Sequence, residues 1–157
     1  MQYKVMNRQN CERYALQKHK VTSVVISIRS TWDKVKPNII VNQENGIQGV
    51  LFLAFDDIDL NTCIQFDNYD GLITGIQAEH IFKFCNKWYG KVDTFIFHCD
   101  GGISRSAGCC GAIMRWFEGY DYPIMGKKSK YPNMYCYLKV LDACRGIHYQ
   151  KITSKGK

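Results

Sequence analysis

Continuous apolar runs alternate along the chain with segments in which apolar residues recur every third or fourth position. VTSVVISI (21–28), GVLFLAF (49–55) and DTFIFHC (93–99) have the length and β-branched or aromatic content of strands covered on both faces. QYKVM (2–6) is a shorter candidate strand. The segment after Asn7, RQNCERYALQKH, has helical composition and a plausible cap. Thr74-Gly75-Ile76-Gln77 fits a T-x-x-Q capping box, and Ala78, Ile81, Cys85 and Trp88 then repeat at helical spacing up to a stop at Gly90. From Arg105 a further helix carries Ala107, Cys110, Met114 and Phe117 on one face and ends at Gly119. Pro132-Asn133 opens a last helix with Met134, Leu138 and Leu141, ending at Gly146.

Strands alternating with helices predict one α/β domain over residues 1–150, with a mostly parallel central sheet flanked by helices and a basic tail at 151–157. A polar stretch with Pro37, around the short run NIIV, separates the strands at 21–28 and 49–55. A loop of about fifteen residues, NTCIQFDNYDGLI at its heart, leads from the second of these to the capping box, and loops of that length tend to be functional or mobile. Ligands of such sheets bind beyond the carboxyl ends of strands. Two strands here end in reactive residue types: 49–55 runs into Asp56, Asp57 and Asp59, and 93–99 into His98 and Cys99.

Composition narrows the class without naming a substrate. Apolar residues make up 46% of the 157 and charged residues 22%, which fits a folded globular domain rather than a disordered chain. No apolar stretch is long enough to cross a bilayer and no signal-peptide pattern is visible, so the expected setting is soluble and cytoplasmic. The formal charge of +7 attracts anions, whether nucleic acid, phosphorylated molecules or acidic protein surfaces. Much of the excess lies in Lys127, Lys128, Lys130 and the tail lysines Lys151, Lys155 and Lys157, where a solvated surface accounts for it equally well. The eight cysteines sit mostly in apolar periodic segments, as small buried hydrophobes do. No CxxC pair occurs, so the usual zinc spacings are missing.

The densest cluster, IFHCDGGISRSAGCCGAI (96–113), admits three readings: a metal site, a tight structural turn, or a nucleophile in an anion cradle. A chain leaving a strand at His98 and entering a helix at Arg105 points successive N–H groups into a concavity, reinforced by the helix dipole. Asp100, Gly101, Gly102, Ile103 and Ser104 would supply those amides, with the glycines clearing space where the chain bends. Arg105 adds a planar fork of donors matching two oxygens of a tetrahedral oxyanion. Cys99, at the floor, would be held as a nucleophilic thiolate by the same positive groups. Ser106 can donate a hydrogen bond to the sulfur, and His98 orients the loop rather than transferring protons. Asp100 would oppose the thiolate unless its carboxylate points away. Cys109 and Cys110 are either helix packing or partners for a protective disulfide with Cys99.

HCDGGISRS resembles the HC-x5-R-(S/T) signature of the cysteine-dependent protein tyrosine phosphatases, in the compact dual-specificity-like branch. The order of flanking elements extends the resemblance over roughly residues 20–145. The resemblance implies a metal-independent, cofactor-free hydrolysis of phosphate monoesters through a phosphocysteine on Cys99. An aspartic acid on a separate loop would protonate the leaving oxygen. LAFDDID fits that role just past a strand end, and Asp57 ranks first, ahead of Asp56, Asp59 and Asp67. Asp57 precedes Cys99 by 42 residues, more than compact members usually keep; Asp67, at 32, matches their spacing but lies mid-loop. The implied partner is a phosphorylated protein, first of all one bearing phosphotyrosine. RNA 5′ ends, nucleotides and phosphoinositides are the alternatives, beside a pseudophosphatase that only binds phosphate and a redox or sulfur-transfer protein.

Overall fold

In the computed structural model, which describes residues 1–155, the predicted alternation becomes a four-stranded, wholly parallel sheet in the order β1-β4-β2-β3. The strands are β1 (Gln2–Asn7), β2 (Ser23–Arg29), β3 (Ile47–Ala54) and β4 (Thr94–Cys99). Six helices connect and cover them: α1 (Arg8–Ala15), α2 (Leu60–Phe66), α3 (Gly75–Trp88), α4 (Arg105–Glu118), α5 (Tyr122–Met125) and α6 (Met134–Lys155). β4 lies between β1 and β2, in register from Gln2–Thr94 to Asn7–Cys99 on one side and from Ser23–Thr94 to Ser27–His98 on the other.

The alternation of side chains along a strand divides the core in two. Val24, Ile26 and Ile28 of β2, with Phe95, Phe97 and Cys99 of β4, join α3, α4 and α6 in the larger cluster. Val25 and Ile96 face the other way, onto Cys11 and Ala15 of α1. Cys99 therefore points toward the helix that follows it, while its neighbour His98 points to the opposite face of the sheet. α6 lies across both α3 and α4.

Three departures from the sequence reading have local causes. The segment expected to be a loop contains α2, which Asp59 caps by accepting from the Thr62 amide at 2.8 Å. Leu60, Cys63 and Ile64 stand at helical spacing, but the run covers only two turns and Cys63 alone is buried, so it reads as loop. It ends at Asp67, which takes the left-handed conformation at φ 46°. The lysine-bearing loop likewise contains the single turn α5. The last helix does not stop at Gly146 but runs on to Lys155. Gly146 faces open space and costs a helix only about 1 kcal/mol, which packing of Val140, Leu141 and Cys144 outweighs. Tail residues 151–155 are thus the end of α6, and 156–157 lie outside the described residues. The NIIV run forms no strand; Ile39 alone is buried there.

Candidate active site

The backbone between β4 and α4 closes into a tight loop because Gly102 adopts φ +64° against the end of β1. A Cβ there would sit 2.3 Å from the Asn7 nitrogen and the Met6 carbonyl carbon, so only glycine fits. Gly101 is different: a Cβ would meet nothing nearer than the Ile103 side chain at 4.0 Å. The loop is also tied from outside. The Tyr131 amide donates to the Ile103 carbonyl at 3.2 Å, Asn133 N–H to the Ser104 carbonyl at 3.0 Å, and Lys130 Nζ to the Gly102 carbonyl. Burial lowers the pKa of Lys130, with nearby Lys127 adding to the effect.

Cys99, 2% exposed, sits at the floor of a cleft of about 370 Å³ lined also by Asp57, Gly101, Ile103, Ser104, Arg105 and Tyr131. Its sulfur lies 3.1 Å from Ser106 Oγ, at the first turn of α4. Arg105 is almost fully buried and held on one side. Nη1 donates to Ser30 Oγ at 3.0 Å and to the Phe55 carbonyl at 2.9 Å, while Nη2 donates to Asp100 Oδ2 at 3.1 Å. Ser30 Oγ in turn donates to the same Asp100 oxygen at 3.1 Å. Three of the five guanidinium donors are thereby used. The remaining Nη2 proton and Nε–H stay, and Nε is buried with no hydrogen-bond partner among the described residues. A buried, unpaired donor of this kind is costly unless a ligand meets it. The Asp100 side chain stays more than a third exposed, yet its Oδ2 is held by Arg105 and Ser30 and so helps to fix the arginine.

The four candidate aspartates separate cleanly. Asp56 accepts from the Thr31 amide at 2.8 Å and its hydroxyl at 2.7 Å, beside Gly71, and so clasps two loops together. Asp59 is spent on the cap of α2, which holds its carboxyl below the usual range through the Thr62 amide. Asp67 ends α2 and is absent from the cleft lining. Asp57 is the exposed carboxylate that lines the cleft with Cys99. Ser104 Oγ donates to its Oδ1 at 2.7 Å and Asn133 Nδ2 at 3.0 Å, leaving Oδ2 free of protein bonds among the described residues.

His98 is not brought to the cleft. Its Nε2 lies 2.7 Å from Ser27 Oγ on the neighbouring strand, and burial depresses its pKa to about 4, so the ring is neutral near pH 7. Cys109 and Cys110 are buried in α4. A hydrogen bond with Cys136, then burial, pushes the Cys109 thiol well up, and burial does the same for Cys110. All eight cysteines are unpaired and buried. Sequence reasoning missed Ser30, Tyr131 and Asn133. The first two have no local signal, whereas Asn133 stood out only as the start of a helix.

A parallel sheet whose central strand ends in a cysteine, a tight loop that only glycine can close and a helix opening on arginine make up the fold of the cysteine-dependent protein tyrosine phosphatases. The chain has that fold. The crystal structure of PTPMT1 in complex with PI(5)P matches with a TM-score of 0.57 at 14% identity, over 96% of this chain and 94% of that one. The active form of Tk-PTP matches with a TM-score of 0.54 at 14% identity, over 90% and 88%. Human DUSP28 matches with a TM-score of 0.54 at 11% identity, over 94% of each chain. No protein-family model and no curated protein matches the sequence.

Proposed function

We propose that the protein hydrolyses phosphate monoesters through a phosphocysteine, with phosphotyrosine as the first substrate and phosphoserine or phosphothreonine also admitted. The observation that carries this reading is the buried, unpaired Nε of Arg105 beside Cys99 in the same cleft. Nε–H and the free Nη2 proton form one edge of the guanidinium, the edge that grips two oxygens of a phosphoryl group. In the first step the Cys99 thiolate forms an S–P bond as the ester oxygen leaves, taking a proton from Asp57 Oδ2. In the second, water attacks phosphorus, Asp57 recovers a proton, and the S–P bond breaks to release phosphate and the thiolate. Arg105 and the loop amides stabilise the equatorial oxygens in both steps, and Ser106 donates to the departing sulfur. His98, neutral and bonded to Ser27, acts only on the placement of β4.

A second substrate class has its own support. Lys130 brings to the loop a cation that the segment between Cys99 and Arg105 lacks, with Lys127 and Lys128 close in sequence. That favours substrates carrying further negative charge, such as phosphoinositides or RNA 5′ ends, and PTPMT1 is a fold neighbour seen with PI(5)P.

The test is a metal-free assay with an aryl phosphate. Cys99→Ser is expected to abolish turnover, and Asp57→Asn to lower it by about two orders of magnitude. Undiminished activity in Cys99→Ser would sink the covalent route. A panel of phosphopeptides, inositol phosphates and 5′-triphosphorylated RNA then ranks the substrate classes.

A further inference from the structure

The cleft does not end at Asp57. Asp57, Ser104 and Tyr131 also line a neighbouring hollow of about 330 Å³, walled by Ile58, Pro132 and Met134 among others. Ile58 and Thr62 are shared in turn with a third hollow of about 290 Å³ that runs along α2 to Phe66. A groove thus leads from Cys99 past Asp57 to α2. An apolar cavity of about 150 Å³ already holds a benzene ring, so each hollow has room for a side chain. The walls are set without a ligand: the Tyr131 amide is bonded to the Ile103 carbonyl at 3.2 Å, and Asp59 caps α2.

The lining is apolar and anionic. Tyr131, Met134 and Phe66 each stand more than half exposed, as apolar surface that a ligand can cover. Arg105 is the only Lys or Arg lining the three hollows, whereas Asp56, Asp57, Asp59 and Asp70 all line them. A phosphoryl group gripped by Arg105 must turn its ester oxygen toward Asp57, so the rest of the substrate leaves the cleft past Asp57 and into the groove. A further phosphate there would meet carboxylates with no cation to offset them.

We infer that this groove is a subsite for the polypeptide that carries the phosphate, and that it seats an apolar side chain next to the phosphorylated residue against Ile58, Tyr131 and Met134. The inference rests on the hydrolase reading above and narrows it. The substrate is an extended phosphopeptide with an apolar neighbour and no acidic one, ahead of inositol phosphates and RNA 5′ ends. Tyr131 and Met134 determine specificity and take no part in the chemistry.

The experiment measures kcat/KM on phenyl phosphate, on short-chain phosphatidylinositol 5-phosphate and on phosphotyrosine peptides. The peptides carry Leu, Gly or Asp immediately before or immediately after the phosphotyrosine. Wild type is compared with M134E and Y131S. A carboxylate is favourable in the first turn of a helix, and Y131S keeps the backbone bond to Ile103, so both variants are expected to fold; thermal melts check it. Wild type is expected to prefer Leu to Gly about ten-fold on one flank, and Gly to Asp by about three-fold. Each variant is expected to bring the Leu-to-Gly ratio below about two-fold. A wild type that hydrolyses phenyl phosphate but is indifferent to the flanking residue would overturn the groove alone. So would a Leu-to-Gly ratio unchanged in both variants, or faster turnover of the inositol lipid than of the Leu peptide. A wild type inactive on phenyl phosphate and on every peptide would overturn the hydrolase reading itself.

Discussion

The loop from Asp100 to Ser104 closes against buried backbone, whereas the segment from Asp56 to Ile73 is tied down by side-chain bonds near the surface. In the first, Gly102 lies against Met6 and Asn7 with no room for a methyl group, and Arg105 is buried behind it. In the second, Asp56 holds Thr31, Asp59 caps a seven-residue helix, and one cysteine is buried. The 100–104 loop is thus held by a close backbone contact as well as by hydrogen bonds, and the 56–73 segment mainly through contacts of the Asp56 and Asp59 side chains. A side chain added at Gly102 should therefore cost more stability than removal of the Asp56 or Asp59 carboxylate.

The sharpest way to break this contrast is the glycine pair. Gly102→Ala is expected to cost about 3 kcal/mol or more, since both the backbone contact and the positive φ resist a side chain. Gly101→Ala should stay within about 0.5 kcal/mol, because its site is open. Denaturant melts of the two variants decide it, and equal losses would show that the loop is not held by sterics.

His98 tests the same half through pH. Its folded pKa of about 4 lies below the ordinary 6.5. The stability gained from a neutral ring is therefore fully present above about pH 6.5 and disappears as pH falls toward 4, about 3 kcal/mol in all. His98→Asn is expected to flatten stability against pH across that window, whatever it does at pH 7. A profile as steep as that of wild type would remove His98 from this account.

Smaller effects belong to the 56–73 segment. Asp56→Ala, which loses two bonds to Thr31, is expected to cost about 1–2 kcal/mol. Asp59→Ala should melt slightly earlier with kcat/KM for an aryl phosphate within about two-fold of wild type, as its carboxylate serves only a helix cap. A large activity loss in Asp59→Ala would move the acid along the chain and erase the distinction between the aspartates.

What the sequence made legible follows the same division. The cradle could be read because its parts are contiguous: strand, Cys99, glycines, Arg105 and helix succeed one another, and their periodicities change at the right places. The capping box at Thr74 is legible for the same reason, with the Thr74 side chain and Gln77 bonded both ways. α2 was hidden because its i, i+3, i+4 apolar set, Leu60, Cys63 and Ile64, spans only seven residues. Ser30 and Asn133 were hidden because their partners are 75 and 76 residues away. Asp57 could be ranked first from its place past a strand end, but its neighbours differ from it only in what they bond to, and that is settled by folding alone.

The position of β4 has a consequence for how the molecule is made. It is the last strand in chain order yet occupies the gap between β1 and β2, and Gln2 must wait for Thr94 to emerge. Until then β1 has no neighbour, and the floor of the cleft does not exist. Pairings this distant in sequence slow folding and leave strand edges exposed for longer. Cys99, carried on the strand that fills this gap, therefore reaches its place only when the sheet is completed from within, with β1 and β3 left as its outer edges.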